Sequence, residues 1–99
     1  MPSYEKVLAL DHPSLAGSLH NLARLYHDQG KYEEAEPLYQ RALAIVEKTL
    51  GVHPNVALCL ENYAGLLEKM KREDEAAKLR ERAKVIREKH ARENLMKGD

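Results

Sequence analysis

The chain has 99 residues, enough for one domain at most, and a globule of that size buries only about 60–65% of the surface its unfolded chain exposes. Hydrophobic residues make up 43% and charged residues 32%, with neither Trp nor Phe, a balance that excludes a disordered tail and fits a soluble, helix-rich protein. Sixteen Lys and Arg offset sixteen Asp and Glu, so no global field draws the chain to nucleic acid or to a membrane, and the single cysteine, Cys59, excludes both an intramolecular disulfide and a multi-cysteine zinc site.

In chain order, the first segment, residues 1–11, reads as the remnant of a helix, with helical turns over 3–9. Glu5-Lys6-Val7-Leu8 repeats as Glu47-Lys48-Thr49-Leu50 at an offset of 42. The chain is therefore expected to be the C-terminal end of a longer array, or a piece of one. The longest apolar run here, Val7 to Leu10, is four residues, too short for a signal-peptide core or a bilayer span. A cytoplasmic location and no membrane partner are expected.

From residue 12 the chain repeats itself. Shifting it by 41 places lays residues 12–48 on 53–89 with 15 identities in 37 positions and no gap, among them His12/His53, Pro13/Pro54, Asn21/Asn62 and Ala23/Ala64. The first unit, 12–52, holds two amphipathic helices. Leu15, Leu19, Leu22, Ala23 and Tyr26 form one stripe, predicting a helix over 14–28 that Gly30 ends. Ala35, Leu38, Tyr39, Ala42, Ile45 and Val46 form the next, predicting a helix over 33–49 that stops at Gly51 and carries Pro37 close enough to its start to limit the disturbance. In the second unit, 53–97, Val56, Leu60, Tyr63, Ala64 and Leu67 predict a helix over 55–69, and Ala76, Leu79, Ala83 and Ile86 predict a long helix over 74–95. His-Pro precedes the first helix of each unit, where proline's missing N–H is harmless. No segment alternates with the period of two that strands need.

Leu19, Leu22, Ala23, Tyr26, Gly30, Ala35, Tyr39 and Ala42 together resemble the signature of a tetratricopeptide repeat. The unit length of 41–42, with Asp11-His12-Pro13, Asn21-Leu22-Ala23 and Glu34-Ala35-Glu36-Pro37-Leu38-Tyr39, is similar to the elongated repeats of kinesin light chains. The resemblance implies an all-α solenoid of two antiparallel helix pairs. The second unit departs from it: Lys71 stands at the turn glycine, so the 70–74 turn is expected to take another geometry. Arg80 replaces Tyr39, giving the polar outer face of a capping helix.

The resemblance also implies a site. The first helix of each unit would line a concave groove, presenting Gly17, His20, Asn21, Arg24, His27 and Asp28 from one unit and Leu58, Glu61, Asn62, Gly65, Glu68 and Lys69 from the other. Residues 17, 20, 21, 24 and 28 do share a helix face apart from the apolar stripe. Asn21 and Asn62 would hold a peptide backbone, since a carboxamide both donates and accepts, while Arg24 and Lys69 select negative charge. The alternative is that each asparagine bonds within its own repeat.

Other constellations are weaker. His20 and His27 are seven residues apart, roughly 10 Å along a helix, too far to share one zinc ion, and Arg24 lies between them. No metal or cofactor is expected. His12 and His53 suit a turn or cap. Cys59 reads as a packed, inert thiol. No phosphate loop, nucleophile elbow or catalytic carboxylate pair occurs, so an enzyme is not expected. Residues 78–97 carry eight positive and three negative charges, a basic helix open to RNA or an acidic surface, yet no aromatic interleaves it. The reading is a protein-binding module for a peptide or partner helix. Its rivals are self-association through the open ends, as a dimer or domain swap, and RNA or acidic-surface binding through the last helix.

Overall fold

A computed structural model describes residues 13–97, and these hold four α-helices and no strand: α1 (Pro13–Asp28), α2 (Tyr32–Leu50), α3 (Pro54–Lys69) and α4 (Glu73–Lys97). Each expected helix is present with ends within two residues of expectation. The remnant over 3–9 lies outside the described residues. The helix pair α1–α2 stacks on the pair α3–α4, chiefly through α2 against α3, while α1 and α3 meet at only a few residues. The molecule is two helix layers deep, 18 Å on its shortest axis.

Small residues set the packing. Ala23, Ala35, Ala42, Ala64, Ala76 and Ala83 are all buried, which lets the backbones of each pair approach closely around Leu19, Leu60 and Leu67. Pro37 lies inside α2, and the helix runs on through it because only one intrahelical hydrogen bond is forfeited near its start. His53 caps α3: its Nδ1 accepts the Asn55 N–H at 3.0 Å, and Pro54 occupies the first helical position. Its counterpart His12 lies outside the described residues.

Two expectations are corrected. The 70–74 turn does not take another geometry. Lys71 sits at φ 63° where Gly30 sits at φ 83°, and both turns close with the same pair of hydrogen bonds: Lys31 N–H to the Tyr26 carbonyl and Arg72 N–H to the Leu67 carbonyl at 2.8 Å, Gly30 N–H to His27 and Lys71 N–H to Glu68 at 3.0 Å. These bonds hold Lys71 in the left-handed region despite a penalty of about 1 kcal/mol for a side chain there. Lys71→Gly should therefore raise stability by about 0.5–1 kcal/mol, seen as a higher denaturant midpoint at unchanged slope.

The second correction is Leu22, placed on the buried stripe but 39% exposed, whereas the aligned Tyr63 is 7% exposed. Leu25 and Leu66 differ more, at 51% and 0%. The cause is position in the stack. This flank of α3 packs on α2 of the preceding unit, and among the described residues no unit precedes α1.

Candidate functional site

The expected residues lie on α1 and α3, the first helix of each unit. Asn21, Arg24, Asp28, Glu68 and Lys69 are exposed, as is Leu58 at 43%, and His20, His27, Glu61, Asn62 and Gly65 are half-buried. Where α1 and α3 approach, the Asn62 carboxamide Nδ2 donates to His20 Nε2 at 2.7 Å. Beside this bond lies a pocket of about 230 Å³ lined by Gly17, His20, Val46, Leu50, Asn55 and Leu58. Further along, His27 Nδ1 is hydrogen-bonded to the Tyr39 hydroxyl at 3.2 Å and packs edge-on to Tyr32, and its ring reaches the open side of Gly65.

Tyr39 is the centre of this joint. Its ring stacks on Tyr63 at 6.0 Å, lies 5.8 Å from His20, and burial pushes its hydroxyl up to about 12. Burial and then Arg24 lower the pKa of His20, so the neutral imidazole is favoured there. Burial likewise pushes the Cys59 thiol up to about 11, consistent with an inert packed side chain.

Not all expected groove residues converge. Glu61 turns to α4, where Arg87 donates to both its oxygens at 2.8 Å and holds the carboxyl below its usual range. Glu68 is held in the same way by Arg80, at 2.8 and 3.1 Å. Asn62 bonds across to the other unit rather than within its own, a third possibility beside a free ligand-facing amide and an intra-repeat staple.

These ion pairs reveal a set of positions that the sequence pattern left unconnected. At an offset of 41, His20, His27, Tyr39 and Val46, which form the joint in unit 1, become Glu61, Glu68, Arg80 and Arg87, which form two bidentate pairs in unit 2. The repeat signature by itself marks only the Tyr39 to Arg80 change. The signal for the others was present in the alignment, as two His-to-Glu changes facing one Tyr-to-Arg and one Val-to-Arg change.

A second missed cluster ties the units from behind. The Tyr63 hydroxyl donates to Glu36 at 2.7 Å and accepts from Gln40 at 2.8 Å, and Arg72 bridges Glu36 and Glu75 at 2.8 and 2.7 Å. Arg72, followed by Tyr63, keeps Glu36 ionised below its usual range, while desolvation opposes them. Among the described residues, no group of three His, Cys, Asp or Glu side chains converges in metal-binding geometry, and no helix is long and apolar enough to cross a membrane.

Two stacked helix pairs with small residues at the crossings, and the first helices side by side on one surface, define a helical-repeat solenoid. The tetratricopeptide repeat family profile matches residues 14–89, and the chain belongs to that family. Comparison with curated proteins gives no match. Tetratricopeptide repeats generally mediate protein–protein interaction and are typically non-catalytic.

Proposed function

We propose that the chain is a protein-binding module that holds an acidic peptide or partner helix along the shared face of α1 and α3. The observation that carries this reading is the charge state of that face. Its acids Glu61 and Glu68 are neutralised by Arg87 and Arg80, so the exposed cations Arg24 and Lys69 outnumber the exposed Asp28 on it. An incoming carboxylate meets those cations, and the exposed Asn21 carboxamide supplies a donor and an acceptor to a peptide backbone. The apolar rim at Leu58 and the pocket beside His20 receive a side chain. Repeats of 41 residues support an elongated, kinesin-light-chain-like subtype with units at 12–52 and 53–97. A lone, buried cysteine suits a reducing, cytoplasmic setting.

The rival reading through the basic helix is weakened by pairing, since Arg80, Arg82 and Arg87 each bond an acid of another helix. Self-association is favoured by the exposure of Leu22 and Leu25 and remains the second reading.

The test is capture of a partner by the intact chain against Asn21→Ala, Asn62→Ala and the double variant. Two neutral hydrogen bonds and one charged contact suit roughly micromolar affinity, and the double variant should lose about tenfold or more. Because Asn62 also bonds His20, the single Asn62 variant should cost about 1 kcal/mol of stability, and Asn21→Ala almost none. Unchanged capture by the double variant, at retained helix content, sinks the groove reading.

A further inference from the structure

The contact between α1 and α3 is sparse, and one of its few polar ties is the bond from Asn62 to His20. An amide nitrogen only donates, so His20 Nε2 must accept, which an imidazolium cannot do. We propose that His20 makes the groove proton-responsive: neutral, it ties α1 to α3 through Asn62; protonated, it releases that amide and adds a positive charge beside Arg24, so that an acidic ligand binds more tightly as pH falls. The proposal rests on the groove being the binding face.

At the bond to Asn62 the titratable partner is His20; His27, the other imidazole of the joint, bonds the Tyr39 hydroxyl instead. On α1, the Arg24 guanidinium lies one helical turn from His20 and acts on it as a cation. Tyr39 on α2 and Cys59 on α3, both packed near His20, keep their protons up to about 12 and about 11, and Asn62 on α3 has no charge to change. The sign follows from linkage. The pKa of His20 is depressed in the folded chain, so its contribution to stability is fully present above the ordinary value of about 6.5 and is lost as pH falls through that value to the native one. Protonation therefore loosens the joint of the free chain. A carboxylate bound near His20 and Arg24 opposes this by favouring the charged imidazole, and the same coupling appears as tighter binding at low pH.

The experiment has two arms on the full chain. In the first, without ligand, the imidazole signal of His20, assigned by its loss in His20→Gln, and the Asn62 side-chain amide signals are followed by NMR from about pH 8 to 5. Both should move with one midpoint below that of a free histidine, and His20→Gln should abolish the Asn62 movement. A His20 that titrates while the Asn62 amide stays still overturns the proposal. In the second arm, a short peptide of alternating Glu and Leu is the probe. Its affinity for the wild type should rise about three- to fivefold from pH 7.5 to 5.5, the scale of one added charge at a partly solvated distance, and should stay flat for His20→Gln. The same pH dependence in both chains also overturns the proposal. Failure of the groove reading shows separately, as binding at pH 7.5 that is indifferent to Asn21→Ala and Arg24→Ala, and leaves the first arm to decide the joint.

Discussion

Tyr39→Ala is expected to remove about 3–5 kcal/mol of folding stability, the range for deleting a fully buried aromatic, from a chain whose total stability is on the order of 5–15 kcal/mol. Tyr39 is 1% exposed and joins both units: it stacks on Tyr63, lies near His20, and bonds His27 through its hydroxyl. The empty volume would open between α1, α2 and α3 together, and no neighbouring side chain in a two-layer slab is free to fill it. Arg80→Ala, at the aligned position in unit 2, should change stability by less than about 1 kcal/mol, because an exposed ion pair contributes little. Tyr39→Phe keeps the ring and loses only the hydroxyl bond, so a loss of about 1 kcal/mol is expected. Urea unfolding of the three variants decides the matter. Equal losses for Tyr39→Ala and Arg80→Ala would mean that the units do not depend on this joint.

The second large effect concerns assembly. Restoring the unit 1 identities in unit 2, with Glu61→His, Glu68→His, Arg80→Tyr and Arg87→Val together, should turn the chain into one that associates head to tail. In the parent, a docking helix pair must desolvate the Glu61–Arg87 and Glu68–Arg80 pairs, whose bonds are already complete within the chain. In the variant that face offers an apolar and aromatic surface like the one on which α3 packs. The exposed Leu22 and Leu25 of a second copy then have a complementary seat. Because such a contact is heterologous it does not close on itself, so the mass should climb with concentration beyond a dimer. Sedimentation is the measurement. A mass distribution identical to the parent's at matched concentration, with helix content retained, would show that the ion pairs do not keep the array from extending.

Local chemistry made much of the architecture legible. The 41-residue period, the apolar stripes, Gly30 and Gly51 at positive φ, and proline at a helix start each act within a few residues, so the number, order and limits of the helices follow from reading along the chain. The solenoid follows in turn, because helices with one apolar stripe and small residues at fixed places have few ways to bury it. The exposed positions of α1 and α3 were legible as a set on the first helix of each unit. What those side chains do there was not. Asn62 looked like a free carboxamide until α1 brought His20 to within 2.7 Å of it, from 42 residues away. Glu61 and Glu68 looked like acidic ligand contacts until Arg87 and Arg80 of α4 reached them. Leu22 and Tyr63 occupy the same place in their units and differ in burial because only one of them has a described unit on its flank. Lys71 takes glycine's conformation because the same capping bonds as in the Gly30 turn hold it there, against a local penalty of about 1 kcal/mol. In each case the deciding partner is distant in sequence or the deciding energy is collective. A pattern along one chain specifies which face a residue occupies, but which partner meets it there is set only when helices from different units are brought together.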